Sequence, residues 1–149
     1  MKISISLYSL AFLVTTALSL PASAQDRAQP WSADQLLEPE VLAKDIGISN
    51  AVAPLIICVG PSALIKGSVE IGPAQEHDNI VKLRQLLSKQ PKDREIVIYC
   101  GCCPFDKCPN IRPAFALLKE MKFRDPKLLN LPHNLKVDWI DKGFPINDN

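Results

Sequence analysis

The apolar residues of this chain fall into short runs separated by turns, and two of these runs are continuous. Residues 54–59 and 96–99 are rich in β-branched and aromatic side chains and lie next to turn-forming residues. Runs of this length and composition are typical of strands that are buried on both faces of a parallel sheet. Residues 67–72 predict a third, short strand, and residues 128–131 predict a last one that ends before Pro132.

Helical patterns lie between and after these runs. Ser32 and Gln35 form a capping-box pattern that predicts a short helix through Leu36 and Leu37, and Pro39 can begin a further turn. Three later helices are predicted, the first capped by Asp78 and the last capped by Asn134. Their inward faces would be Ile80, Leu83 and Leu87; Ile111, Ala114, Phe115, Leu118 and Met121; and Leu135 with Trp139.

The alternation of strands and helices indicates the fold class. About 125 residues of this pattern predict one three-layer α/β domain with a central, mostly parallel sheet. The side chains of Ile96, Ile98, Phe115, Leu118 and Trp139 are expected to be buried. A turn is expected at residues 47–50.

The N-terminal segment has the pattern of a signal peptide. Lys2 precedes an apolar stretch at residues 7–18, and Ala22-Ser-Ala24 offers a small-residue cleavage site. We therefore expect a signal peptide at residues 1–24, a mature domain at residues 25–149, and a periplasmic or secreted protein. A retained N-terminal anchor is the alternative.

Charge excludes some classes of partner. The chain has 17 lysines and arginines and 16 aspartates and glutamates, so its net charge is close to zero. Well-mixed charges of this kind give no electrostatic footprint for nucleic acid or an acidic membrane. No nucleic-acid partner is expected, and no membrane partner after cleavage.

The cysteines are the most informative feature. Four of the five, Cys100, Cys102, Cys103 and Cys108, lie within nine residues of each other, and Cys58 is expected to be a packed core thiol. The cluster follows a predicted strand and precedes a predicted helix. Open α/β sheets bind their ligands at such a junction, and a helix N-terminus favours a thiolate.

Several chemistries are open to this loop. Cys100 to Cys103 is a C-x-x-C pattern, which is found in thiol–disulfide redox proteins. Four thiols can also hold Zn²⁺ or Cu⁺, although we expect no resident metal or other cofactor. A local disulfide from Cys102 or Cys103 to Cys108 is a third possibility, because adjacent cysteines do not pair without strain.

The order of these motifs resembles the single-domain rhodanese family. The resemblance rests on the strand ending in Tyr99-Cys100, the following loop and helix, and the closing Trp139 with residues 142–145, Lys-Gly-Phe-Pro. It spans Ser32 to the C-terminus. The chain departs from the family at Cys58 and Gly60, which replace an aspartate and an arginine. It also has a longer loop, with Asn110 where the family often has arginine.

The resemblance implies a sulfurtransferase, with a non-catalytic rhodanese-like binding module as an alternative. In a sulfurtransferase of this kind, Cys100 accepts a sulfane sulfur from a small anion such as thiosulfate, as a persulfide, and passes it to a thiol or protein acceptor. The implied catalytic residues are Cys100, Cys103 and Arg112, and the implied substrate-binding residues are Gly101, Cys102, Lys107, Cys108 and Asn110.

Overall fold

The computed structural model describes residues 31–48 and 53–148 and contains one five-stranded sheet. The strands are β1 (Leu36–Leu37), β2 (Leu55–Cys58), β3 (Val69–Glu70), β4 (Ile96–Tyr99) and β5 (Lys127–Leu129). They lie in the order β1-β5-β4-β2-β3, and every pairing is parallel. The predicted signal peptide and part of the predicted turn at residues 47–50 lie outside the described residues.

Helices cover both faces of the sheet. They are α1 (Pro39–Ile46), α2 (His77–Ser88), α3 (Ile111–Glu120) and a π-helical segment (Lys136–Ile140). The three-layer α/β fold predicted from the sequence is thereby confirmed. Within the described ranges, no helix has the length and apolar character needed to cross a bilayer.

Strand β4 shows how the two cores form. Ile96 and Ile98 face the core that contains the buried residues of α2 and α3. Val97 and Tyr99 face the opposite core, which contains Leu42, Leu135 and Trp139. Successive side chains of a strand point to opposite faces, so a strand covered on both sides must be apolar throughout. All five residues expected to be buried are at most 3% exposed.

The prediction of a helix at residues 32–37 is wrong. Only Ala33–Gln35 forms a single 3₁₀ turn, in which the Ser32 N–H donates to Gln35 Oε1 over 3.1 Å. Leu36–Leu37 is strand β1, paired in parallel with β5. The physical reason is Pro39, which disfavours helical backbone in the residue before it. Glu38 is accordingly extended, and the chain ahead of it joins the sheet edge.

Other details of the elements also differ from the sequence prediction. Helix α2 begins at His77 after an extended Glu76, so Asp78 lies in the first turn and is not the cap. Strand β5 runs over Lys127–Leu129 and not to residue 131. Asn134 does accept a hydrogen bond from the Val137 N–H over 3.0 Å, as a capping residue would, but the segment it precedes is π-helical.

Leu118 allows a test of this packing. Its side chain is fully buried between α3 and the sheet. We expect Leu118→Ala to lower the free energy of unfolding by about 2–5 kcal/mol, because it removes buried methyl groups and leaves a cavity. Val81→Ala, at a site on α2 that is 39% exposed, should change it by less than about 0.5 kcal/mol. Chemical denaturation of both variants measures the difference, and similar losses in the two would contradict the assignment.

Candidate active site

Cys100 directly follows the middle strand of the sheet. Strand β4 pairs with β2 on one side and with β5 on the other, so the loops after all three strands meet at one edge. The Cys100 side chain is only 4% exposed and belongs to the core beneath α2 and α3. The predicted position of this cysteine, at the carboxyl end of a central parallel strand, is confirmed.

The residue before it, Tyr99, anchors the end of the strand. Its hydroxyl accepts the Ile65 N–H over 3.2 Å and lies 2.9 Å from Ser68 Oγ. Ser68 Oγ donates its one proton to the Ile65 carbonyl over 2.7 Å, so Tyr99 must donate to Ser68. Burial raises the pKa of Tyr99, which keeps that proton in place. The backbone that carries Cys100 is therefore fixed.

Polar groups converge on the sulfur of Cys100. Asn110 lies at the start of α3 and donates from Nδ2 to Cys100 Sγ over 3.4 Å. Its Oδ1 accepts the Gln75 N–H over 3.1 Å, so both ends of the amide are bonded. Cys102 Sγ lies 3.2 Å from Cys100 Sγ. These contacts allow the sulfur to be charged although it is buried.

Cys100 and the thiols of Cys102 and Cys108 differ in how readily they lose a proton. The Cys108 thiol, with help from the Asn110 amide and the Cys102 N–H, lowers the pKa of Cys100 to about 5, against the opposing effect of burial. The same hydrogen bond to Cys100 raises the pKa of Cys108. Burial and the neighbouring Cys100 raise the pKa of Cys102 to about 12. Of these three thiols, Cys100 therefore becomes a thiolate most readily.

Gly60 closes one side of the sulfur. A Cβ atom built on Gly60 would lie 2.2 Å from the Cys100 carbonyl oxygen and 2.8 Å from its Sγ. Neither distance is possible for real atoms, so only glycine fits where the rhodanese pattern has arginine. The backbone after β2 can thus approach Cys100 closely, and no side chain stands between them.

Gly101 turns the chain away from β4. Its φ of +86° lies in the left-handed region, which glycine adopts without strain. Its carbonyl accepts the Leu135 N–H over 2.9 Å, and a Cβ on Gly101 would lie 3.0 Å from Leu135 Cβ. This hydrogen bond joins the cysteine loop to the segment that follows β5.

A cavity of about 390 Å³ opens beside Cys100. Its walls are Pro61, Ser62 and Leu64 after β2, residues 100–102 after β4, and Asn134, Leu135, Lys136 and Ile140 after β5. Apolar side chains therefore mix with hydroxyl, amide and thiol groups. The Lys136 ammonium pairs with Asp141 over 2.6 Å, so its charge at this cavity is balanced.

Asp138 holds in place the cavity wall that follows β5. Its carboxylate accepts the backbone N–H groups of His133 and Asn134 over 2.7 and 3.0 Å, and it lies 2.9 Å from His133 Nδ1. Although burial raises the pKa of this carboxyl, the hydrogen bonds from His133 and Asn134 hold it below its usual value. The carboxylate thus fixes the turn that leads into the cavity wall.

The structure brings together most, but not all, of the residues singled out from the sequence. Cys100, Gly101 and Cys102 line the cavity. Cys103 and Cys108 are absent from its walls, but their sulfur atoms and those of Cys100 and Cys102 all lie within 4.8 Å of one another. Asn110 contacts Cys100 directly.

Two predicted residues lie elsewhere. Lys107 is exposed on the loop. The Arg112 guanidinium lies 5.4 Å from the centre of the Trp31 ring and donates to the Asp106 carbonyl over 3.2 Å. It lines a separate cavity of about 200 Å³ with Phe115 and Lys119. Arg112 does not join Cys100 in the larger cavity.

All five cysteines lie in the described part of the chain, and all are free thiols in this structure. The local bridge from Cys102 or Cys103 to Cys108, one of the possibilities raised by the sequence, is not formed here. Cys58 is fully buried, as expected of a core thiol, and it donates to the Ser62 carbonyl over 3.1 Å. It belongs to the opposite core from Cys100 and lies outside the four-sulfur group.

Sequence reasoning missed the residues that form the other walls of the cavity. Pro61, Ser62 and Leu64 follow β2, and Asn134, Leu135, Lys136 and Ile140 come after β5. Both strands are neighbours of β4. Loops after adjacent parallel strands meet at one edge of a sheet, so these residues could have been expected near Cys100. That expectation requires the order of the strands, which the sequence alone does not provide.

Comparison with known proteins identifies no protein family whose model matches this chain, and no curated protein that is similar to it. The likeness to rhodaneses therefore rests on the motifs of this chain alone.

Gly60→Ala tests the close contact at Cys100. We expect the added Cβ to displace the Cys100 backbone and to slow alkylation of Cys100 by iodoacetamide, in addition to destabilising the fold. Gly67→Ala is the matched control, because Gly67 has a φ of +75° and no atom near its missing Cβ. It should cost stability through backbone strain and leave Cys100 alkylation unchanged. Equal alkylation rates in the two variants would contradict the contact.

The low pKa of Cys100 predicts an unusual pH profile of its reactivity. In metal-free, reduced protein, alkylation of Cys100 should be nearly independent of pH from neutral to alkaline conditions. It should decline only as the pH falls through about 5, where the thiolate is protonated. An ordinary cysteine instead becomes reactive near its pKa of about 8.5. Peptide mapping by mass spectrometry follows each cysteine separately.

Asn110→Leu supplies the comparison for this profile. The variant removes the amide donor to Cys100 Sγ, so the midpoint of Cys100 alkylation should move to higher pH. A wild-type midpoint near that of an ordinary cysteine would show that Cys100 is not the thiolate.

Proposed function

We propose that this protein is a sulfurtransferase in which Cys100 is the nucleophile. The Cys100 thiolate attacks the outer sulfur of a donor such as thiosulfate, and a new S–S bond forms as the S–S bond of the donor breaks. Sulfite leaves with the electron pair of that bond, and Cys100 carries a persulfide. A thiophilic acceptor, such as cyanide or a thiolate, then attacks the terminal sulfur and regenerates the Cys100 thiolate.

The proposal rests on the surroundings of the Cys100 sulfur. Cys100 Sγ lies at the end of the central strand, touches a fixed amide donor from Asn110, and borders a cavity large enough for a small anion. Buried sulfur is reactive only where nearby groups support its charge. The other cavity-lining cysteine, Cys102, is exposed and lacks the Asn110 contact.

The rhodanese-like order of motifs supports the same assignment, with altered supporting residues. Gly60 stands where that family has an arginine, and Asn110 stands where it often has a second arginine. The catalytic role implied for Arg112 stays a prediction, since Arg112 lies beside Trp31. A periplasmic or secreted location, and a thiol or protein acceptor, belong to the proposal as expectations from the sequence.

A second candidate function is thiol–disulfide exchange. Cys100 Sγ and Cys102 Sγ are 3.2 Å apart and share the cavity. The two thiols would lose two protons and two electrons to a disulfide substrate and become a Cys100–Cys102 bridge, while the substrate is reduced to two thiols. The close pair would then be C-x-C, in place of the C-x-x-C pattern noted in the sequence.

Sulfur transfer from thiosulfate to cyanide tests the main proposal. Cys100→Ser should reduce thiocyanate formation to the uncatalysed rate, because no persulfide can form. Cys108→Ser should retain part of the activity, since it alters one hydrogen-bond donor to Cys100 and leaves the nucleophile in place. Cys58→Ala is the control, because it removes a buried thiol on the other face of the sheet and should leave the activity near that of the wild type.

Mass spectrometry of the wild type after exposure to thiosulfate should show one added sulfur atom on Cys100. An active Cys100→Ser together with an inactive Cys103→Ser would assign the nucleophile to Cys103 instead. A wild type that transfers no sulfur, but reduces a disulfide substrate, would favour the second candidate.

A further inference from the structure

The geometry points to a metal site beyond the proposed sulfur chemistry. We propose that Cys100, Cys102, Cys103 and Cys108 together bind one Zn²⁺ ion through their four sulfur atoms. The inference does not depend on sulfur transfer, because it rests on where the sulfurs lie and not on what Cys100 reacts with.

The spacing of the sulfurs fits a four-coordinate ion. All four lie within 4.8 Å of one another. A tetrahedral site with Zn–S bonds of about 2.3 Å holds its sulfurs about 3.8 Å apart. Two separations, 3.2 Å from Cys100 to Cys102 and 3.4 Å from Cys102 to Cys103, are smaller than this, whereas others reach up to 4.8 Å. Binding therefore requires the close pairs to separate by about 0.4–0.6 Å and the distant ones to approach by up to about 1.0 Å.

The two more exposed cysteines can supply most of that movement. Cys100 and Cys108 are buried at 4% and 0% exposure, one after β4 and the other close before α3. Cys102 is exposed and Cys103 is half-buried. Two ligands are thus fixed by the fold, and the two that must shift are nearest to solvent. Solvent access at Cys102 also gives the ion a way in.

The ligand set selects the class of metal. The group offers four sulfur atoms, and no histidine or carboxylate of the described residues belongs to it. Thiolates prefer soft or borderline ions and disfavour Mg²⁺ and Ca²⁺. Zn²⁺ forms closed four-thiolate sites that are tetrahedral. Four mutually close sulfurs match Zn²⁺ better than they match an ion held by two or three ligands.

Bound Zn²⁺ would have a consequence for the chemistry proposed above. Cys100 Sγ cannot be a metal ligand and a free nucleophile at once. If the proposed sulfur transfer is correct, one equivalent of Zn²⁺ should suppress it, and a chelator should restore it.

Direct binding measurements test the site. The full chain, reduced and freed of metal with a chelator, is titrated with Zn²⁺ against a chromophoric competing chelator, and one ion per chain is expected. Co²⁺ in place of Zn²⁺ should give the intense visible bands of a tetrahedral thiolate complex. Cys102→Ser, Cys103→Ser and Cys108→Ser should each weaken Zn²⁺ binding by at least about 100-fold, more than the loss of an outer-sphere partner usually costs. Cys58→Ala should leave it unchanged.

The controls separate this site from the other proposals. If Cys108→Ser fails to fold, Cys102→Ser still decides the question, because Cys102 is exposed. No stoichiometric binding, binding that survives all three substitutions, or loss of binding in Cys58→Ala would overturn the site. Tight binding of Cu⁺ alone, through three of the sulfurs, would overturn the assignment to Zn²⁺. Because these measurements need no sulfur donor, a failure of sulfur transfer leaves them intact, and the reverse also holds.

Discussion

Along β4, alternate side chains fill the two cores on opposite faces of the sheet, and this alternation sets the direction in which Cys100 points. Ile96 and Ile98 lie under α2 and α3, so Cys100, two residues further on, faces the same side. Tyr99 faces the other core and is bonded there. A shift of one residue in the register would exchange the two faces and turn the sulfur away from α3. The site thus follows from the burial of a strand on both of its faces.

The pKa of each buried cysteine depends on the balance between burial, which disfavours the thiolate, and hydrogen bonds, which stabilise it. Removing a thiolate from water is unfavourable, and each hydrogen bond to a charged group returns about 1.5–3 kcal/mol. At Cys100 the Cys108 thiol, the Asn110 amide and the Cys102 N–H together outweigh burial. At Cys58 burial outweighs the nearby hydrogen bonds, which raises the pKa of that thiol. Two buried cysteines at the ends of neighbouring strands therefore differ in chemistry because their neighbours differ.

Much of this could be predicted from the sequence, because it depends on local patterns. The apolar run at Ile96–Tyr99, the inward face of α3 and the position of Cys100 are properties of a few consecutive residues. Strand β1 could not be predicted in this way. Leu36 and Leu37 become a strand only through pairing with β5, some 90 residues later in the chain.

The walls of the cavity and the position of Arg112 also depend on contacts distant in sequence. Asn134 and Leu135 reach Cys100 because β5 pairs with β4, and no spacing rule connects them. The side chain of Arg112 lies against Trp31, about 80 residues earlier in the chain. Local patterns thus identify the reactive sulfur better than they identify its surroundings.

The contact at Gly60 has a stereochemical consequence. Gly60 stands against Cys100 Sγ on one side, and the Asn110 amide is bonded to it on another. The cavity walled by Leu135 and Ser62 is open beside this sulfur, so an extra sulfur atom carried by Cys100 would extend into it. A single absent side chain in the neighbouring loop thereby gives a buried sulfur a preferred bond direction. The loop after β2 therefore limits where such an added atom can lie, although the loop does not have to contact that atom.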